Sequence, residues 1–250
     1  MKRPALLLAP LLIGATEPQL VPDVSQRTVD IAYSFRGADL LLFGAILYPR
    51  GRVPEGQVDV AVVLKGPIQS ILVREKQKLG GVVWANAASA RFRSAPSFYA
   101  IASSRPVADM VDRRTAAIYE LGLDNIHLSP SSANPPEERL RFQHGLADLQ
   151  QRGGLYLSQP GSVTISEGVL YRARLAIPPR VPVGRYTAET FLIRDGKVVA
   201  AAERTIDLRK QGFERFVAQS AEQRPLAYGL VAVVLSLAFG WGAGTVFRRF

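Results

Sequence analysis

The chain has 250 residues, with 31 lysines and arginines against 21 acids and no cysteine. The lack of cysteine excludes disulfides, thiol nucleophiles and thiolate metal sites. The formal net charge of +10 comes without any Lys/Arg block interleaved with aromatics, so no nucleic-acid partner is implied. Beside a membrane, such a basic body is expected to face anionic headgroups.

The chain opens on MKRPALLLAPLLIGAT: Lys2 and Arg3, an apolar run from Ala5 to Ile13, then the small Gly14 and Ala15. This is the layout of a secretory signal over 1–15, its apolar run too short to span a bilayer. Ile13 is a poor residue three before the cleavage point. A start further upstream, with a longer leader, stays open.

Short apolar runs punctuated by turns follow. TVDIAYSF alternates Val29, Ile31 and Tyr33 against Asp30 and Ser34. DLLLFGAILYP is apolar on both faces, as a central strand is. QVDVAVVLKG alternates Val58, Val60 and Val62 and closes at Gly66-Pro67. SILVREKQKL and GGVVWANA flank a turn at Gly80-Gly81, and PSFYAIASS is a further strand.

The period then changes. Val107, Met110, Val111, Ile118 and Leu121 predict one face of a helix, capped by Ser103 or Ser104, with Pro106 in its first turn and Gly122 at its end. Asn134, Pro135-Pro136 and Glu137-Glu138 open a second helix that Gly153-Gly154 stops. Residues 105–154 thus read as a helical insertion at one edge or end, expected to be dispensable to strand pairing.

LYLSQPGSVTIS, LYRARLAIP, GRYTAETFLIRDG and KVVAAAERTIDL resume the strands, the last two joined at Asp195-Gly196, a two-residue hairpin signal. VPVGRYTAETFLI has the form of a late-strand entry in immunoglobulin-like sandwiches. About nine strands with regular turns predict a mainly β protein, an immunoglobulin-like β-sandwich over 16–210 carrying the helical insertion. Two small sandwiches split near residue 110 are the alternative.

Residues 211–225 predict a charged amphipathic helix with Phe213, Phe216 and Val217 on one face, lying along headgroups or docked on the sandwich. Leu226 to Phe247 carries no charge. As a helix it reaches about 33 Å, against about 30 Å of hydrocarbon core. Pro225 suits its start, and Tyr228 and Trp241 sit near its ends as interfacial rings do. A single C-terminal transmembrane helix is expected over 226–247, followed by a tail, 248–250. Arg248 and Arg249 place that tail in the cytoplasm, and with the signal they place the body in a bacterial periplasm. Ala232, Ser236, Gly240 and Gly244 recur every four residues. They predict a helix–helix face, for a second copy or for a polytopic permease.

Reaction chemistry is sparse. His127 and His144 have nothing at metal-ligand spacing, so no metal or cofactor is predicted. LSPSSAN has no G-x-S-x-G elbow, and there is no Walker loop and no G-x-G-x-x-G. Glu137 and Glu138 suit a helix first turn. Trp84 and Asn86 face a cleft, or Trp84 is simply core.

FRGADLLLFGA (Phe35 to Ala45), VVLKGP (Val62 to Pro67), GVVWANA (Gly81 to Ala87) and PSFYAIASSRP (Pro96 to Pro106) occur in this order. Together they resemble an alphaproteobacterial family of transmembrane proteins over nearly the whole mature chain. The resemblance implies a bacterial inner-membrane protein, of a kind often encoded beside a sulfite-exporter-type permease, and it carries over no catalytic residues. Trp84, Asn86, Tyr99 and Arg105 are candidate surface or ligand positions within or beside the blocks. The expected function is that of a non-catalytic, membrane-anchored periplasmic accessory or binding protein partnering a transporter. The alternatives are a periplasmic hydrolase with the insertion as lid, and an envelope scaffold.

Overall fold

The computed structural model describes residues 17–31, 37–80, 82–130, 135–210 and 221–247. The expected signal, most of the amphipathic segment 211–225 and the tail 248–250 lie outside the described residues. The protein is mainly β. A four-stranded sheet has the order β1 (Gln19–Val24), β3 (Ala38–Leu47), β11 (Leu170–Ile177), β10 (Val163–Ser166). A six-stranded sheet has the order β2 (Thr28–Ile31), β13 (Lys197–Lys210), β12 (Gly184–Arg194), β4 (Val58–Lys65), β7 (Tyr99–Ser103), β9 (Tyr156–Pro160). A long ribbon of β5 (Ile68–Leu79) and β6 (Val83–Pro96), edged by β8 (Ser129–Pro130), forms a third sheet.

The first two sheets pack face to face. Leu40, Leu42 and Ile46 of β3 and Tyr171, Ala173 and Leu175 of β11 meet Val60, Val62 and Leu64 of β4 and Tyr186, Ala188 and Leu192 of β12 in one core. Alternation with period two puts one side chain in two into that layer. At the β12–β13 hairpin, Asp195 and Gly196 both take positive φ, 50° and 76°. That is what the tight turn of a right-twisted hairpin requires and why Asp-Gly serves there.

Two strands exchange the roles expected of them. β3, apolar from Leu40 to Leu47, alternates: Leu40, Leu42 and Ile46 are buried, while Phe43 and Leu47 are exposed. β4 is the strand buried on both faces, with Val60 through Leu64 all at 0% exposure. The cause is a second core on the outer side of the six-stranded sheet. There Ala61, Val63, Tyr99, Ile101, Phe191 and Ile193 pack under Met110, Val111, Ala116 and Leu121.

The helical segment is therefore a covering layer. The single helix expected from Val107 is two: α1 (Val107–Met110) and α2 (Arg113–Ile118). Val111 is extended, and Asp112 caps α2, its Oδ1 accepting from the Thr115 N–H at 2.7 Å. A short acidic side chain that bonds the backbone of the next turn starts a new helix there. Pro106, not Ser103 or Ser104, precedes α1. α3 (Pro136–Arg152) begins at the expected proline pair, and the chain leaves it through Gly153 and Gly154; Asn134 lies outside the described residues. β7 and β9 pair in parallel, so residues 104–155 form the crossover that joins them. Parallel neighbours need such a connection. Residues 105–154, expected to be dispensable to strand pairing, carry this connection and also supply β8, which pairs with β6. α3 also covers the ribbon, Phe142 and Leu146 packing on Val73, Ala90 and Phe92.

The C-terminal stretch folds as one helix, Pro225–Phe247, of 23 residues. The helix is found; a crossing is not. Among the described residues no helix is long and apolar enough to cross a membrane. The side chains of 242 and 245–247, within this helix, are not among those described.

Candidate functional site

Where the covering layer meets the six-stranded sheet, charged groups converge. β4 ends in Lys65, whose Nζ donates to Glu189 on β12 at 3.0 and 3.2 Å and pairs with the Glu120 carboxylate. Glu120 Oε1 in turn accepts from the His127 backbone N–H at 3.2 Å and lies 2.7 Å from His127 Nδ1. All three side chains of the Lys65–Glu120–Glu189 triad are roughly three-quarters buried. Burial works to lower the Lys65 pKa; the hydrogen bonds and charges of Glu120 and Glu189 outweigh it and hold the ammonium above its ordinary value.

Backbone geometry aims Glu120. It sits at φ 53°, a left-handed conformation uncommon outside glycine. The Tyr99 hydroxyl fixes it, donating to the Glu120 carbonyl at 2.6 Å and accepting from the Gly122 N–H at 3.0 Å. Burial, first of all, pushes that phenol well above its usual range. The Tyr119 ring meets Phe191 edge-on at 5.5 Å. Lys65, Tyr119, Glu120, His127, Glu189 and Phe191 line a cleft of about 430 Å³, together with Glu203 of β13. A neighbouring cavity of about 340 Å³ shares Lys65, Glu120, His127, Glu189 and Glu203. A wider groove of about 580 Å³ lies on the other sheet, between Asp39, Thr164, Arg172 and Arg174, away from this ion-paired cluster.

The expected positions scatter. Tyr99 is 0% exposed; its hydroxyl supports the cleft from beneath, and the residue also lines the neighbouring cavity of about 340 Å³. Arg105 holds the buried Asp59 at the start of β4, Nη2 to Oδ2 at 2.7 Å. Trp84 is not core: it is 61% exposed on the ribbon, with Lys78 Nζ 5.3 Å from its ring centroid. Asn86 is exposed beside it and faces neither of the cavities around Lys65. Ala232, Ser236, Gly240 and Gly244 are exposed on the C-terminal helix; the Ser236 hydroxyl donates to the Ala232 carbonyl at 2.8 Å.

A family model described as "Putative transmembrane protein (Alph_Pro_TM)" matches residues 19–249. The chain belongs to this alphaproteobacterial family. No curated protein matches it. Among solved structures it is similar to the sporulation control protein Spo0M from Bacillus subtilis, at 9% identity and a TM-score of 0.29. That likeness covers 83% of this chain and 55% of that one, so this chain spans about half the length of the structure it matches.

Lys65, Glu120, Glu189 and Glu203 are not legible as a site in the family blocks. The one sequence signal is Lys65 itself, a charge closing the apolar run VVL inside the block VVLKGP.

Proposed function

We propose that this family member is a membrane-anchored accessory or binding protein without catalytic activity, its body periplasmic and its C-terminus cytoplasmic, partnering an inner-membrane transporter. The acidic cleft carries the reading. Glu120, Glu189 and Glu203 outnumber Lys65 around it, and Tyr119 and Phe191 offer ring surface. That combination suits a cationic group, such as a Lys or Arg of a partner loop. The described residues lining the cleft of about 430 Å³ include no serine, threonine or cysteine, whereas Ser94 and Thr187 line the cavity beside it and His127 lines both; Lys65 is held protonated between two carboxylates. A nucleophile or a free general base is what a hydrolase would need there.

The anchor rests on the helix Pro225–Phe247. Its 23 residues reach about 35 Å at 1.5 Å per residue. From Leu226, 89% exposed, to Trp241, 76% exposed, no described side chain of the helix is covered by the sandwich. A helix apolar all round needs either a protein core or lipid, and here the core is absent. Arg248 and Arg249 orient it by the positive-inside rule. The sandwich itself we class as immunoglobulin-like. In support, the Tyr186 hydroxyl at the start of β12 donates to the Pro182 carbonyl at 2.6 Å, the bond of a tyrosine corner.

The test is recovery of the full chain from native membranes under mild detergent. A polytopic permease is expected at stoichiometric amount from the wild type and at reduced amount from Glu189→Gln/Glu203→Gln. Equal recovery from both would remove the cleft from the interaction, and turnover of generic esters by the purified chain would replace the reading with the hydrolase. Alkaline phosphatase fused near residue 200 should be active and fused after Phe250 inactive; the reverse pattern overturns the topology.

A further inference from the structure

The β5–β6 ribbon is far longer than its packing needs. Its strands have 12 and 14 residues. Only the base is covered, where Val73, Ala90 and Phe92 meet α3. Beyond Glu75, Lys76, Gln77 and Lys78 on β5 are exposed, as are Val82, at 83%, and Val83 and Trp84, each at 61%. An isolated two-stranded ribbon that exposes apolar residues at its tip is marginal in water unless something covers it.

Its charges are one-sided. Register places Arg74 opposite Ser89, Lys76 opposite Asn86 and Lys78 opposite Trp84. Alternation along β5 sets Arg74, Lys76 and Lys78 on the face turned away from α3. The one acid on either strand, Glu75, points the other way and pairs with Arg141 of α3 at 2.9 Å. The exposed face is therefore cationic without a compensating acid of its own, and it ends in an indole.

We infer that the tip of this ribbon docks on an anionic lipid surface, with Trp84 and Val83 at the headgroup level and Arg74, Lys76 and Lys78 against the lipid phosphates. Basic side chains near such a surface are drawn to it, and tryptophan is the residue most at home at the interface. The inference rests on the membrane anchor proposed above. Residues 211–224 connect the sandwich to the C-terminal helix, and 14 residues reach at most about 50 Å, so the anchor holds the end of β13 within that distance of the bilayer. Lipid is favoured over a protein groove because the tip presents exposed Val and Trp beside basic side chains with no acid on the same face of the two strands, a composition selective for charge and interface rather than for a shaped pocket.

The chain contains two tryptophans, Trp84 and Trp241, so each can be made the only one. Full-length Trp241→Phe protein is reconstituted in vesicles of phosphatidylglycerol or of phosphatidylcholine, and Trp84 emission is read with acrylamide outside and with brominated acyl chains inside. Expected in phosphatidylglycerol is a blue shift relative to detergent, loss of most acrylamide quenching and gain of quenching by the brominated chains. These changes should be weak in phosphatidylcholine, and they should be lost at high salt and in Arg74→Glu/Lys76→Glu, which leaves Lys78 over the indole. Trp84 open to acrylamide and untouched by bromine in both lipids overturns the inference, and so does equal quenching in both, which would remove the role of charge. The reciprocal Trp84→Phe protein reports on Trp241. If Trp241 is quenched by brominated chains and Trp84 is not, the ribbon inference alone fails. If Trp241 is not quenched, the anchor fails.

Discussion

Arg105 grips Asp59 by two nitrogens, Nε at 2.9 and 3.0 Å and Nη2 at 2.7 Å, and Ser104 adds a third donor at 2.8 Å to the same carboxylate. Asp59 is 3% exposed at the start of β4, while Arg105 closes the end of β7. The pair ties the two strands that carry both cores. The Arg105→Ala protein leaves a buried carboxylate with one donor, so its thermal midpoint should fall clearly below that of wild type. Asp59→Asn/Arg105→Leu, which removes the charge with its partner, should recover much of the loss, because the penalty comes from the orphaned ion rather than from the missing attraction. Equal midpoints for both variants would mean that solvent reaches Asp59.

Leu121 is a sharper probe of the covering layer. It has 0% exposure and packs with Tyr99, Tyr156 and Phe191 on the outer face of the six-stranded sheet. Leu121→Ala should cost about 2–5 kcal/mol, the range for a buried leucine whose cavity stays open. Urea unfolding of the detergent-solubilised chain measures it. A loss under about 0.5 kcal/mol would match a surface residue and restore the layer to a dispensable lid.

The local features were legible in the sequence, and the long-range ones were not. Asp195-Gly196 announces its hairpin because positive φ at two successive residues is a demand on side-chain chemistry alone. The proline pair and Gly153-Gly154 bracket α3 for similarly local reasons. Whether an apolar strand is covered on one face or two depends on what lies above it, and so β3 and β4 exchanged places. The parallel pairing of β7 with β9 joins residues 57 apart at Tyr99 and Tyr156, and nothing in either strand's pattern specifies it. The cleft has the same cause. Lys65, Glu120 and Glu189 lie on β4, in the crossover and on β12, and only the register of those elements makes them neighbours. Tyr99, chosen from a family block, turned out to be the support under that cleft.

Alkali should destabilise the protein through its buried phenols. Tyr186 is pushed up to about 12 by burial, and Tyr99 and Tyr156 are pushed up by the same cause. Lys65 is raised as well, by its two carboxylates acting against its burial. Folded values above unfolded ones mean that both states hold these protons below pH 10, where the stability is fully present. Above that the unfolded chain releases them first, and stability falls as the pH climbs through the folded values. For a group as buried as Tyr99 the slope approaches about 1.4 kcal/mol per pH unit. Urea midpoints should therefore decline above about pH 10 while tyrosinate absorbance rises as the buried phenols are released, and Tyr156→Phe should flatten the decline. A midpoint that stays level to pH 12 would contradict the burial of these rings.

The C-terminal helix gives the cleanest test of what the proposed anchor touches. Gly240 and Gly244 lie one turn apart, and a Cβ built on either meets nothing within 4 Å. Among the described residues a Cβ there meets no neighbour, and a side chain in place of each glycine improves intrinsic helix propensity by up to about 1 kcal/mol. Ser236 already spends its hydroxyl on the Ala232 carbonyl, so this face offers shape rather than hydrogen bonds. Lipid supplies no hydrophobic drive for helices to associate, whereas close backbone approach across small residues does. Gly240→Leu/Gly244→Leu should therefore leave membrane insertion intact and abolish crosslinking of the helix in native membranes, whether to a second copy or to a permease. Crosslinking at the wild-type level in the double variant would make the helix an anchor only, and any partner would then be held by the sandwich and its acidic cleft.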